Sequence, residues 1–566
     1  IFMASLFRID LPGRLELEEI PDRYTGAYHP NLVPWEKDRL LAEVAGRFLD
    51  HFVRQNTAEL PEIRLEEHVE VVQHTAAERA LYLGQAHDAP ELDSKDAFTN
   101  EANMQALERL LKLCSHFQAA GENVKSAKDE CSRIGEHKER RVVKAENQLH
   151  RCAIVVAILE RKYREALGPS ASDDWNQELV EAEKQLRTEG DAGKRSADAL
   201  MLATREALKV ASLEPTTWPA ALEAHRPRAP EFQVKFAISI ADSRRGYAEQ
   251  WRQFLEMRLH APELHELLVG QAHEQAANLK ELHASTGSLE FFRRTVTALA
   301  NDSSPEARSC SVCLEEGLPL TKLALTPCAH AFCVSCLQMT IEKYSSCSMC
   351  RQPLSLKDIQ PLEGELRPGF QHGKSLSSSS SSSSTSSAPP PVAMSNAVGK
   401  GEGDITCFNK YGTKLAVVVL KLQELRASDP LAKVILFVQF EDLKRKVASA
   451  LTEFGVPTVQ LQGSVAQRSG VVRDWQNNAT SASFVMLLSL AQSASGTKLT
   501  AASHVVFLHP MLAPTAERAV TYELQAIAHA RRHGQLRDVV HVWRFVTDGT
   551  REQAITERHQ SALWAR

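Results

Sequence analysis

Residues 310–350 read CSVCLEEGLPLTKLALTPCAHAFCVSCLQMTIEKYSSCSMC. Seven of the chain's eleven cysteines fall in this stretch, with one histidine among them. The possible metal ligands form four pairs: Cys310 and Cys313, Cys328 and His330, Cys333 and Cys336, Cys347 and Cys350. A Cys-x2-Cys pair lets two thiolates from one tight turn reach one metal ion. Four pairs taken alternately interlock two tetrahedral zinc sites. A segment of about forty residues buries too little apolar surface to fold alone, so the metals are expected to supply much of its folding free energy.

The spacing and order of these eight ligands resemble the RING finger in its three-Cys, one-His, four-Cys form. The resemblance implies that Cys310, Cys313, Cys333 and Cys336 bind one zinc and that Cys328, His330, Cys347 and Cys350 bind the other. In RING ubiquitin ligases an apolar residue between the first two cysteines packs against the ubiquitin-conjugating enzyme, and Val312 stands there. A basic residue after the last cysteine bridges the conjugating enzyme and ubiquitin, and Arg351 stands there, with a guanidinium able to bond two partners at once. Leu314, Met339, Thr340 and Met349 complete the expected partner face. The family often has Trp where this chain has Thr340 and Pro where it has Ser348, which shrinks the expected apolar contact. The alternative is a zinc fold that serves only protein contact.

Outward from this stretch, 566 residues allow several domains. A formal net charge of −5 gives no global drive toward nucleic acid or anionic membrane. Cys114, Cys131, Cys152 and Cys407 are scattered and form no disulfide framework, which points to a reducing compartment, nucleus or cytosol. The longest apolar runs, such as AIVVAIL from Ala153, are too short to span a bilayer, and no secretory signal is visible. The opening Ile suggests a piece of a longer protein.

Residues 1–85 read as the end of a globular domain. Ile63, Leu65, Val69 and Val71 alternate as on a strand, and Thr75 with Glu78 forms a capping box before AERALYLGQ. Residues 86–300 read as a helical, coiled-coil-like insertion: one long helix from Glu122 to Leu167, a second run from Trp175 to Leu213 and a third from Ile238 to Leu282, folded back as an antiparallel arm. The cluster HKERR at 137–141 reads as a solvated face, with a nuclear-import or nucleic-acid patch as the alternative. The zinc segment occupies 305–360. A linker follows over 361–403, where the serine tract of Ser375–Pro391 cannot bury apolar surface and is expected to be disordered. Residues 404–566 alternate buried-type strands at Val434, Thr458, Phe484, His504 and Val539 with amphipathic segments, the pattern of a mostly parallel α/β sheet.

That last region resembles the C-terminal RecA-like lobe of Swi/Snf-family DNA translocases. YGTKLAVVVLKLQEL, VILFVQF, the LQGS at Leu461, LLSLAQSASGTKLTAASHVVFLHP and QAIAHARRHGQ follow in the family's order. The resemblance implies that Gln525 faces the nucleotide and that Arg532 reaches its phosphates as a finger. A long helical insertion, then a RING, then the second lobe is the order of SHPRH-like RING-bearing translocases, ubiquitin ligases of DNA-damage tolerance and chromatin. The chain departs from that family at Ala528-His529, where Gly-Arg is usual, and at Lys498, where Asn is usual. A phosphate loop is missing: Gly369-x3-Gly373-Lys374-Ser375 is one residue short and follows no strand, and Asp129-Glu130 lies in a helical run. ATP with magnesium is therefore expected only where a first ATPase lobe is present. His150, His504 and His509 read as surface or core residues and not as ligands. The sequence leads to a zinc-dependent ubiquitin ligase of the nucleus. Its expected partners are a charged conjugating enzyme and DNA or chromatin proteins, with no membrane among them. A non-catalytic scaffold is the rival.

Overall fold

The computed structural model describes residues 63–89, 101–117, 126–218, 221, 260–300, 304–363, 402–477, 484–489 and 499–564. Strand β1 (Arg64–Val72) leads to helix α1 (Ala76–His87) through the capping box: Thr75 Oγ1 accepts from Glu78 N, and the Glu78 carboxylate accepts from Thr75 N at 2.9 Å. Helix α2 (Glu101–Ser115) follows, with Leu107, Leu110 and Leu111 buried.

Among the described residues the insertion holds four long helices after α2: α3 (Ala127–Leu167), α4 (Gln177–Thr188), α5 (Gly190–Ala211) and α6 (Ala261–Leu299). Ser126 caps α3, whose 41 residues make it about 60 Å long. Gly135 does not interrupt it. Ion pairs Glu139–Arg293 and Arg141–Glu281 and the Cys152–Asn278 contact descend α6 as they ascend α3, so the two helices are antiparallel. Their core holds Leu149, Ile154, Ile158, Leu268 and Leu279, with Ala203 and Ala207 of α5 as the small residues that admit close approach. The run expected from Trp175 to Leu213 is two helices. It breaks at Gly190, whose φ of +83° suits a residue without a Cβ. The third run is described only from Ala261, and its expected start at Ile238 lies outside the described residues.

The cysteine-rich segment holds β2 (Leu323–Leu325), β3 (Ala331–Cys333), helix α7 (Val334–Tyr344) and β4 (Gln360–Pro361), with β2 between its two antiparallel neighbours. After it come α8 (Glu402–Tyr411), α9 (Thr413–Ser428), β5 (Val434–Phe437), α10 (Glu441–Glu453), β6 (Thr458–Gln460), α11 (Val465–Asn477), β7 (Val485–Leu488), β8 (His504–Phe507), α12 (Ala516–Ala530), β9 (Val539–Thr547) and α13 (Arg551–Trp564). The linker tract Ser375–Pro391, the Gly369–Ser375 near-match and the turn from Gln492 to Lys498 lie outside the described residues.

Six parallel strands form one sheet in the order β1-β9-β8-β5-β7-β6. Alternate side chains feed two apolar layers: Leu436, Leu487, Val506 and Phe545 on one face, Phe437, Met486, Phe507 and Val542 on the other. Within residues 1–85, read from the sequence as the end of a globular domain, the strand Arg64–Val72 belongs to this sheet. Arg64–Val72 pairs in register with Val539–Thr547 and shields what would otherwise be an open edge of β9. Alternation had identified the strand, but alternation specifies a face and not a partner.

Candidate metal centre

Two backbone turns of the same design present four of the cysteines. In the first, Leu314 N donates to Cys310 O at 2.9 Å and Cys310 N donates to Glu315 O at 2.9 Å. In the second, Arg351 N donates to Cys347 O at 2.8 Å and Cys347 N donates to Gln352 O at 2.8 Å. Leu314 and Arg351, each just after the second cysteine of its pair, hold left-handed φ values of 59° and 63°. Thr326 organises the third turn: its N donates to His330 O at 3.1 Å, its hydroxyl accepts from His330 N at 3.1 Å, and Cys328 Sγ lies 3.0 Å from that hydroxyl. Cys333 ends β3 as the N-cap of α7, and Cys336 sits in the first turn of that helix.

These elements bring the eight ligands into two sets, Cys310–Cys313–Cys333–Cys336 and Cys328–His330–Cys347–Cys350, each with its donor atoms within 4.8 Å of one another. Zinc bonds sulfur at about 2.3 Å and imidazole nitrogen at about 2.0–2.1 Å, so a tetrahedral site has S–S edges of about 3.8 Å and S–N edges of about 3.6 Å. Cys313 and Cys333 sulfurs are 3.8 Å apart, and His330 Nδ1 lies 3.4 Å from Cys328 Sγ and 3.6 Å from Cys347 Sγ. The donor sets therefore fit zinc, with Nδ1 as the histidine ligand. Cys350 is held well below the ordinary thiol range by hydrogen bonds from Cys328 and Cys347, while Cys328 is pushed far above it by bonds to Cys347 and Cys350. A dication is what allows four such donors to share one small volume.

Around the clusters, Val312, Leu314, Met339 and Met349 are exposed, Leu314 to 78%. Tyr344 and Leu356 are exposed as well, and the sequence reading missed both. The available signal was their place, Tyr344 at the end of α7 and Leu356 beyond the last cysteine pair, where no ligand or core position required an apolar residue. The Arg351 side chain is exposed and makes no hydrogen bond or ion pair among the described residues. Thr340 is half-buried and its hydroxyl donates to Cys336 O at 2.7 Å, so it turns into α7; Ser348 is exposed.

This segment does not stand alone. Its buried Leu323, Phe332, Leu337 and Leu362 share one apolar layer with Leu81 of α1, Leu110 of α2 and Phe291, Phe292 and Leu299 of α6. Arg79 of α1, buried, donates from Nε to Leu362 O at 2.8 Å, from Nη1 to Gly549 O at 2.6 Å and from Nη2 to Pro361 O at 3.4 Å, joining the segment to the sheet. The α4–α5 break touches the second cluster: a Cβ added at Gly190 would meet Cys350 Sγ at 2.9 Å. Beside Arg79 a cavity of about 290 Å³ is lined by His74, Leu299, Arg308, Leu362 and Asp548.

In the C-terminal region, Gln525 is exposed on α12 and Arg532 is exposed just beyond its end, both free to meet a partner from outside the sheet. His529 is buried between them and its carbonyl accepts from Leu499 N, so it faces the interior. Gln535, the motif's second glutamine, donates to Ala502 O at 2.8 Å and Ala530 O at 3.0 Å. In HKERR four residues are exposed, but Lys138 is buried against Asp88 at 2.5 Å and Ser288. His150 pairs with Glu206 at 3.3 Å. His504 and His509 are buried and pushed down to about 4 by that burial. No described helix is long and apolar enough to cross a membrane.

No family model matches the chain. It is 26% identical over 555 residues to the DNA (cytosine-5-)-methyltransferase DMT5 of Cryptococcus neoformans, covering 92% of this chain and 20% of that protein. It is 25% identical over 323 residues to the human E3 ubiquitin-protein ligase SHPRH, covering 54% of this chain and 16% of the relative. With the DNA repair protein RAD5 of Candida albicans the identity is 25% over 328 residues, covering 52% and 28%. The solved C-terminal part of the Fun30 ATPase domain superposes on 27% of this chain and 46% of that one with a TM-score of 0.23 and 19% identity, too low to add to the fold described above. The chain thus spans between 16% and 28% of the length of these curated relatives. It is a homologue of SHPRH and RAD5, and the SHPRH-like resemblance read from its motifs is shown by its similarity to them.

Proposed function

We propose that the chain is the RING-type ubiquitin ligase portion of an SHPRH-like, Swi/Snf-family protein of the nucleus. Two zinc ions, one in each cluster, would hold the finger in shape. A conjugating enzyme charged with ubiquitin would dock on Val312, Leu314, Met339 and Met349, with Thr340 at the margin of that face. Arg351 would hold the ubiquitin in a reactive pose. Catalysis would come from positioning, without a covalent intermediate on this chain. One observation carries the reading: four apolar side chains and an unpaired guanidinium stand exposed around two clusters whose edges match tetrahedral zinc. Substrates would be DNA- or chromatin-bound proteins. Gln525 and Arg532 would meet ATP and magnesium held by a first lobe of the longer protein.

The test is ubiquitin discharge from a panel of charged conjugating enzymes by the whole chain loaded with zinc. The whole chain is needed because the finger shares its core with α1, α2 and α6. Val312→Ala and Arg351→Ala should each slow discharge by about tenfold or more, the loss that goes with about 1.4 kcal/mol at a central contact, while zinc content stays unchanged. Unaltered discharge in both variants would refute the roles given to them. A second reading is a non-catalytic chromatin scaffold. It is favoured by the relative that aligns over 92% of the chain, which is named as a DNA methyltransferase and not as a ligase. No discharge with any enzyme, zinc bound, would select it.

A further inference from the structure

Strands β1 and β9 pair so that Glu66 stands opposite His541, and His68, two residues on, shares their face of the sheet. His68 Nε2 lies 3.1 Å from His541 Nδ1, and a Glu66 carboxylate oxygen lies 3.4 Å from the same Nδ1. All three donor atoms fall within 4.8 Å of one another. Around a zinc ion bonded at about 2.0–2.2 Å, neighbouring donors are about 2.9 Å apart at right angles and about 3.4 Å apart in a tetrahedron. We propose that Glu66, His68 and His541 form a third divalent-metal site, specific for zinc or a similar borderline cation, that clips β1 to β9.

The surroundings support donors already set for a metal. His68 stacks on Trp543 with ring centroids 4.1 Å apart, and His541 stacks on His504 at 5.0 Å. Trp543 Nε1 donates to His504 Nδ1 at 3.1 Å, which fixes the ring behind His541. Such outer contacts orient ligating imidazoles. Nearby Lys421 is engaged by Glu70 at 3.6 Å and lies 4.4 Å over the Trp543 ring, and it presents no ligand to the site. Glu66 is exposed and both histidines are half-buried, so water can complete the coordination. The site lies toward the amino ends of β8 and β9, whereas ligands of open α/β sheets bind beyond the carboxyl ends. Its role would be structural: a clip between residues 473 positions apart.

Metal counting tests this on the whole chain, loaded with zinc and dialysed free of excess. Three zinc ions per wild-type chain are expected, and two after His68→Gln with His541→Gln. Glu66→Gln, which changes one exposed atom type, should weaken the third site at least tenfold without touching the other two. Cobalt substitution separates the sites, because only the cysteine clusters give sulfur-to-cobalt charge-transfer absorption. Adding zinc back should slow amide exchange in 64–72 at least tenfold in the wild type and not in the double variant. Two ions per wild-type chain, three ions persisting in the double variant, or β1 exchange indifferent to zinc would each overturn the proposal.

Discussion

The cysteine-rich finger and the C-terminal sheet achieve order by different means. Between Cys310 and Cys350 the strands are three residues long, eight side chains gather into two clusters that could each hold a metal ion, and Val312, Leu314, Met339 and Met349 stay outside. In the sheet, every residue of β5, β7 and β8 is buried, and even charge is taken inside: Glu523 and Arg544 meet at 2.7 Å, with Glu67 and His559 beside them. Where metal ligands supply the folding free energy, apolar side chains are released to the surface for partners. Where apolar burial supplies it, polar side chains inside must pair among themselves.

The largest expected effect separates the two regions by metal. Chelating zinc from the whole chain should unfold residues 304–363 while the amides of β5, β7 and β8 keep their protection in hydrogen exchange. Structural zinc contributes on the order of 10 kcal/mol to small zinc folds. Because Phe291, Phe292 and Leu299 share the finger's apolar layer, the last turns of α6 should loosen with it. Equal loss of protection in the central strands would break the comparison.

Acid should separate them in the opposite sense, acting on the sheet. Burial alone would raise the Glu523 carboxyl, but Arg544, His559 and the Met511 N–H outweigh it and hold the group at about 2. A carboxyl lowered in the folded state contributes stability that is fully present above the unfolded value of about 4.3 and is lost as pH falls toward the folded one. Urea denaturation of the C-terminal sheet should therefore lose roughly 3 kcal/mol between pH 5 and pH 2 from this group. Glu523→Gln should flatten that window. A wild-type profile as flat as the variant's would show that the buried network is not the acid-sensitive element.

Arg79 tests how firmly the two regions are joined. Its three carbonyl partners belong to both: Pro361 and Leu362 behind the finger, Gly549 behind β9. Arg79→Ala should cost about 2–3 kcal/mol and raise amide exchange at Leu362 and Glu363. Arg79→Lys should recover only part, since an ammonium cannot span the same fork. A thermal scan that leaves the midpoint unmoved would mean that the shared apolar layer alone seats the finger.

How much of this was legible follows from the same contrast. The two cysteine-rich clusters could be read because coordination chemistry restricts both residue type and spacing, and the structure brings their donor atoms together in two sets that could each hold a metal ion. Five parallel strands could be read because burial on both faces leaves continuous apolar runs, and Thr75 with Glu78 because a cap is local. What escaped was partnership. Nothing in RLEEHVEVV names β9 as its neighbour, nothing in HKERR marks Lys138 as the residue that turns inward, and nothing near Gly190 names Cys350, far along the chain, as what the α4–α5 break lies against. The exposed positions of Gln525 and Arg532 are visible, but the turn from Gln492 to Lys498 that would accompany them is outside the described residues.

The smallest effect is the most specific to the finger. Leu314 and Arg351 occupy equivalent left-handed positions, where a side chain costs about 1 kcal/mol that glycine avoids. Leu314→Gly and Arg351→Gly should therefore both leave zinc content intact and leave thermal stability equal or slightly higher. If the strained positions are kept for their side chains, ubiquitin discharge should fall in both, more steeply in Arg351→Gly because the guanidinium is the group with two partners to hold. Stability that falls instead would locate the value of these residues in the fold. Discharge that survives in both, with stability raised, would leave the exposed apolar ring without a catalytic use and return the finger to the role of a scaffold.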